Sequence, residues 1–218
     1  MSETTKTKVV IVEDHPLFRE RLAVLINKEL DMQVCGEADN IRQAMEIIHA
    51  TQPDAAVVDI TLKGSSGLEL IKDIKAQSIM LPVLVLSMHD ESLYAERVIR
   101  AGAKGYITKD EASEKVMSAI RKVVAGEIYL SESMTARVLK NLSGKNSEHA
   151  SPLERLTDRE LEVFQLIGKG RTAKEIAETL NLGLTTIDTY RARIKEKLNL
   201  KNATELVHQA AEWVRSQR

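Results

Sequence analysis

Two short apolar runs in this chain each end on acid. Val9-Val10-Ile11-Val12 leads into Glu13-Asp14, and Ala55-Ala56-Val57-Val58 leads into Asp59. Runs of this kind read as parallel strands buried on both faces. In an open α/β sheet, ligands bind at the carboxyl ends of such strands. Three carboxylates in one crevice repel one another unless a cation sits among them, and an oxygen-only cluster suits a hard ion such as Mg²⁺. One of the carboxylates can itself be a nucleophile toward phosphorus. Ser87 follows Val83–Leu86, and Lys109 comes two residues after Ile107. A hydroxyl and an ammonium therefore reach the same crevice, and the ammonium supplies a point charge for a phosphate oxygen. Glu13-Asp14 alone would be an ordinary polar strand end. It is the register with Asp59 and Lys109 that points to a phosphate site. His15 and His89 flank the crevice and read as solvent-facing loop residues, since the histidines show no metal-ligand spacing.

The elements that must position these groups alternate over the first 125 residues. Strand-like runs fall at Val9–Val12, Met32–Cys35, Ala55–Val58, Val83–Leu86 and Gly105–Ile107. Helical patterns lie between them. Pro16–Leu30 has Pro16 in its first turn and an apolar set of Leu17, Leu22, Leu25 and Ile26. Asn40 can cap Ile41–Gln52. Gly67–Ala76 follows the third run, Ser92 can cap a helix ending near Gly102, and Ser113 can cap Glu114–Ala125. Five βα units in a row imply a five-stranded, doubly wound parallel sheet with helices on both faces.

After Gly126 the strand patterns stop. Ser131–Leu142 reads as one helix, and Ser143–Pro152 is a polar Gly/Ser/Pro linker. Four helices then follow: Thr157–Gly168, Thr172–Leu180, Leu184–Leu198 and Ala203–Arg215. The domain reading is 1–125, a linker region 126–152 that includes the helix near 131–142, and 153–218. Residues 1–150 carry 19 basic and 22 acidic side chains, and residues 151–218 carry 12 and 10. That imbalance is weak evidence for nucleic acid. A single cysteine, Cys35, excludes an internal disulfide framework and reads as a small core residue beside Val34. The polar start and the lack of a long apolar run lead us to expect a soluble, cytoplasmic protein with no membrane partner.

The arrangement of Glu13-Asp14, Asp59, Ser87, Tyr106 and Lys109 over residues 8–125 resembles the receiver domain of two-component response regulators. The resemblance implies a flavodoxin-like fold with Asp59 as phosphoacceptor, charged by a sensor histidine kinase. It implies Mg²⁺, or Mn²⁺ in its place, on Asp14, Asp59 and the backbone carbonyl of Thr61, with Glu13 helping through water. Ser87 and Tyr106 would couple the phosphate to the protein surface. Asp110 stands where many relatives have proline, so a cis bond after Lys109 would cost more here.

In the last part, Thr172–Leu180 is a short amphipathic pattern and Asn181-Leu182-Gly183 a tight turn, with Gly183 able to take a left-handed conformation. Thr185-Thr186 opens a second helix bearing Arg191, Arg193, Lys195 and Lys197. Two short helices around such a turn form a helix-turn-helix, whose second helix can enter the DNA major groove. Leu156–Val163, Gly170, Lys174-Glu175-Ile176-Ala177, Thr186-Ile187 and Lys197-Leu198 resemble the LuxR-type domain of NarL/FixJ-class regulators. That resemblance implies base-edge contacts at Asp188, Thr189 and Ala192, and phosphate contacts at Lys174, Thr185, Thr186, Tyr190, Arg191 and Lys197. Asp188 departs from the lysine or asparagine frequent there. It can accept from cytosine N4 or cap the helix start. The last helix, through Leu206, Val207 and Ala210, resembles a dimer-forming helix.

The expected function is a phosphorylation-controlled DNA-binding regulator, a homodimer when phosphorylated, binding paired half-sites and with RNA polymerase as a further partner. Two other readings compete. A Mg²⁺-dependent phosphatase would share the nucleophile, but Asp59-Ile60-Thr61 offers no second acid. A DNA-binding protein with an inert receiver would have no need of the full residue set. The stimulus, the operator and the sign of regulation are not written in the chain.

Overall fold

The computed structural model describes residues 6–62, 65–88, 91–132, 134–136 and 152–216. The chain divides into two compact units, Met1–Leu139 and Lys140–Arg218. The linker at 143–152 except Pro152, most of the helix expected at 131–142, and His89 lie outside the described residues.

In the first unit the strands are β1 (Thr7–Val12), β2 (Met32–Ala38), β3 (Ala55–Asp59), a small pair β4 (Thr61–Leu62) and β5 (Ser65–Ser66), then β6 (Val83–Ser87) and β7 (Gly105–Thr108). The five long strands form one parallel sheet, as expected, and their order is β2-β1-β3-β6-β7. The chain leaves β1 in one direction for β2 and in the other for β3, so the crevice at a topological switch point opens between β1 and β3. Helices α1 (Pro16–Lys28), α2 (Ile41–Thr51), α3 (Gly67–Ala76), α4 (Glu91–Ala101) and α5 (Ala112–Val124) connect them. One core face joins Val9, Ile11, Val57, Leu84, Leu86 and Ile107 to Leu22 and Ile26 of α1 and Val116 and Ile120 of α5. Val9–Val12 and Ala55–Val58 are buried on both sides, which is why they lack alternation.

Several local expectations change. Leu17 is 83% exposed, and Phe18 instead packs on the core. Pro16 stands in the first turn of the helix, and Leu22, Ala23 and Ile26 are its buried residues. Helix α4 begins at Glu91 and α5 at Ala112, ahead of the expected Ser92 and Ser113 caps. Asn40 does cap α2, accepting from Gln43 N–H at 3.0 Å. Cys35 is half-buried, its Sγ 3.5 Å from Thr51 Oγ1. Residues beyond α5, read from sequence as linker, continue the first unit. Tyr129 N–H donates to Lys104 O, and Tyr106 N–H donates to Tyr129 O, both at 2.9 Å. This short parallel bridge covers the outer edge of β7. Ser131 N–H then donates to Glu91 at 2.9 Å, and Met134 is buried.

The second unit is helical: a short 3-10 turn at Pro152–Arg155, then α6 (Asp158–Gly168), α7 (Ala173–Leu180), α8 (Leu184–Lys197) and α9 (Ala203–Ser216). Thr157 and Thr172 form capping boxes with Glu160 and Glu175, so each helix starts where its threonine stands. Gly168 allows α6 to approach α9. A Cβ there would lie 2.3 Å from the Ala210 carbonyl oxygen. Gly168→Val is therefore expected to destabilise this unit by roughly 1–3 kcal/mol through overpacking. Thermal unfolding of the helical signal checks it, and an unchanged midpoint would refute the tight crossing.

Candidate phosphate site and nucleic-acid interface

Strand ends set the geometry of the crevice. Glu13 continues β1, its N–H bound to Ala38 O at 2.9 Å. Asp59 is the last residue of β3, paired with Leu86 of β6. Ser87 closes β6 opposite Thr108, and its carbonyl accepts from Lys109 N–H at 2.8 Å. These ladders deliver Lys109 to the acids. Its Nζ lies 2.6 Å from Glu13 Oε2 and 2.7 Å from Asp59 Oδ2. All three side chains are buried. Asp59 Oδ1 accepts from Thr61 N–H at 3.2 Å. Glu13 Oε1 accepts from His15 N–H at 3.0 Å. Glu13 and Asp59 thus each have both oxygens occupied. Asp14 does not. Its Oδ1 is buried without a hydrogen bond among the described residues, although His15 Nδ1 lies 2.9 Å away.

The electrostatics follow from this arrangement. Three carboxylates face one ammonium, leaving an excess of negative charge. Burial pushes the Asp59 carboxyl up to about 6, with Lys109 pulling it down and Glu13 pushing it up. Burial also opposes the Lys109 charge, but Asp59 and Glu13 outweigh it and raise its pKa. The balance differs for the two groups: burial wins at Asp59, and the two acidic partners win at Lys109. Glu13, Asp14, His15 and Asp59 present ligand atoms within 4.8 Å of one another. The oxygen-rich set and the unbonded Asp14 oxygen suit a hard divalent cation. His15 is the only nitrogen donor of that group, and its side chain is 68% exposed.

Sequence reasoning missed three residues here. Gly67 starts α3 so close to the acid that a Cβ would lie 2.0 Å from the Asp59 carbonyl oxygen. Arg19 donates to the Glu13 carbonyl at 2.6 Å and pairs with Glu37 at 3.3 Å. Phe18 lies under Lys109. A helical period can suggest where an aromatic points, but it does not show which cation lies above the ring. Tyr106 is fully buried beside Val85, on the sheet face opposite Ile107. Every described peptide bond is trans, that after Lys109 included.

In the second unit, α8 buries Ile187 and Ile194 and exposes Thr185, Thr186, Asp188, Thr189, Ala192 and Arg193. Thr185, Thr186, Thr189, Tyr190 and Arg193 line a shallow groove. Arg193 had no assigned contact from sequence, yet its position on this face and at the groove marks it out. Lys174 is exposed on α7. Asp188 lies 3.7 Å from Arg191, so the two charges partly offset each other. Lys197, expected at a DNA phosphate, has a partner within the domain. Its Nζ sits 2.6 Å from buried Glu160, tying the end of α8 to the start of α6. Burial opposes the Glu160 charge, but Lys197 and Thr157 outweigh it and hold the carboxyl below its ordinary value. The turn also differs. Asn181 takes the left-handed conformation at φ 52°, while Gly183 is extended at φ −74° as the cap of α8. Asparagine tolerates that region, which frees the glycine. On α9, Leu206 and Ala210 are core residues against α6, and only Val207 of the expected dimer set is exposed.

No helix of the described residues is long and apolar enough to cross a membrane. Residues 9–121 match the response regulator receiver domain, and residues 154–210 match the luxR family of bacterial regulatory proteins. The chain is 35% identical over 208 residues to the oxygen regulatory protein NreC of Staphylococcus carnosus, covering 93% of this chain and 96% of NreC. It is 32% identical to the response regulator UvrY of Escherichia coli O6:H1, covering 93% and 92% of the two chains. Its fold is similar to that of Salmonella typhimurium RcsB, with a TM-score of 0.68, 22% identity, and 95% and 98% of the chains covered. The chain therefore belongs to the two-component response regulators that join a receiver to a luxR-family helix-turn-helix domain, phosphorylation-controlled DNA-binding regulators of transcription.

Proposed function

We propose that Asp59 is the phosphoacceptor of this regulator. The observation that carries the reading is the buried lysine shared by Glu13 and Asp59 at two neighbouring strand ends. An Asp59 oxygen attacks phosphorus on a histidine of a sensor kinase. The P–N bond breaks, and its electron pair leaves with the imidazole nitrogen. Lys109 meets the developing phosphoryl charge. Asp14 and Asp59 would hold Mg²⁺, or Mn²⁺, with the Thr61 carbonyl and with Glu13 through water. When bound, the ion offsets the repulsion between these acids and an incoming phosphoryl group. Ser87 donates to a phosphate oxygen, and Tyr106 repacks beside it. The protein turns over no external substrate and works in the cytoplasm.

The output is DNA binding through α8, with Thr185, Thr186, Asp188, Thr189, Ala192 and Arg193 facing the groove, and Lys174, Tyr190 and Arg191 beside the backbone. Solved complexes of RcsB with promoter DNA support that use of the fold. Phosphorylation favours a homodimer on paired half-sites. Any contribution of α9 to that dimer runs through Val207. RNA polymerase is a further partner. The receiver, the connecting segment and the helical domain are assigned to 1–125, 126–152 and 153–218, with Tyr129 and Met134 packing as part of the receiver.

Three outcomes are expected. First, Mg²⁺ plus a small phosphodonor tightens binding of the full chain to DNA selected by that same chain, and Asp59→Asn abolishes the gain. Equal gain in wild type and variant, read by fluorescence anisotropy, would sink the assignment. Second, Arg193→Ala weakens that binding roughly fivefold or more. Lys197→Met instead destabilises the domain by roughly 1–3 kcal/mol, read as a lower melting temperature, because it strands Glu160. Third, burial raises Asp59 above its unfolded value, so its charge opposes folding increasingly between pH 3.8 and about 6. Without divalent ions, the melting temperature of Asp59→Asn should gain on that of wild type across this range and hold the gain above it. A difference that does not vary with pH would overturn the cause given.

A further inference from the structure

Lys109 has a third neighbour besides its two acids. The Phe18 ring centroid lies 4.8 Å from its Nζ. An ammonium over an aromatic face is attracted by the ring quadrupole, more strongly where water is excluded. Lys109 is 9% exposed, and Phe18 is packed against the core of Val9, Ile11, Leu22 and Ile107. The ring's position is also fixed from the backbone. Pro16 stands in the first turn of α1, and Arg19, the residue after Phe18, ties that turn to the Glu13 carbonyl at 2.6 Å.

We propose that Phe18 is a positioning residue for phosphoryl transfer: its ring face holds the Lys109 ammonium between Glu13 and Asp59. The inference rests on the reading of Asp59 as phosphoacceptor. A lysine side chain is a flexible four-carbon stem with a strongly hydrated head. Two carboxylates define two directions around that head. The ring covers a further side and replaces water there without offering an acceptor. The ammonium is thereby preorganised for a phosphate oxygen instead of having to be desolvated during transfer.

The test uses the full chain, Mg²⁺ and phosphoramidate as phosphodonor, with protein-bound, hydroxylamine-labile phosphate on Asp59 as the readout. Phe18→Leu keeps an apolar side chain of similar reach but removes the quadrupole. It is expected to slow phosphorylation roughly 3- to 30-fold at saturating Mg²⁺. Mono-, di- and trifluorophenylalanine at position 18 keep the ring shape while weakening its negative face. The rate should fall stepwise along that series, and Phe18→Tyr should restore most of it. A second readout needs no chemistry: the Lys109 Cε protons should show an upfield ring-current shift in the wild-type NMR spectrum that shrinks in Phe18→Leu. A flat rate across the fluorinated series, or an unshifted Lys109 resonance in wild type, would overturn the proposal and leave Phe18 a packing residue. Phosphate uptake by Asp59→Asn, or none by wild type, would instead overturn the phosphoacceptor reading beneath it.

Discussion

A single ammonium buried between two carboxylates organises the receiver half of this molecule. Burying a charge is costly unless partners meet it, and removing one partner strands the others. Lys109 reaches Glu13 and Asp59 only because four parallel strands end level with one another and Ser87 O holds the Lys109 backbone. Sheet register and site geometry are thus one constraint. The net negative charge that remains makes a cation a fitting guest. Among the described residues of this crevice, the unbonded oxygen of Asp14 is where hydrogen bonding stops short.

The buried strands that carry the site and the two capped helix starts of the second unit were legible because their causes are local. Apolar runs buried on both faces need no alternation, and Thr157 and Thr172 announce their helices through Glu160 and Glu175. Asp59 and Lys109 were legible for the same reason: each follows an apolar run. What stayed hidden depends on contacts between distant segments. Gly67 looked like a helix-start residue, but it is shaped by the carbonyl of Asp59. Lys197 counted as one more positive charge on a recognition helix until Glu160 appeared across from it. Leu17 and Phe18 are neighbours of similar hydropathy, and only the packed core separates the exposed one from the buried one.

The helical domain shows the same limit on a smaller scale. Its four helices sit nearly where their patterns place them. Which face of α9 remains available does not follow from its apolar count, because α6 takes Leu206 and Ala210 for its own packing. Likewise the turn before α8 needed one left-handed residue, and both Asn181 and Gly183 were eligible. The position directly after α7 decided it: closing that helix requires the reversal at its C-cap, before the chain reaches Gly183.

The bridge at Tyr129 has a meaning for where the receiver can be cut. A strand at the rim of a sheet presents unpaired N–H and C=O groups that invite another strand. Here β7 is that rim, and the segment sealing it comes after the last receiver helix, held by Lys104 O and Tyr106 N–H. Gly105 leaves the space for it, since a Cβ there would lie 3.0 Å from Tyr129. A fragment ending with α5 would keep all five strands and the whole phosphate crevice, yet bare a sticky border. The selvedge of this fabric is woven from the thread that leads to the other domain.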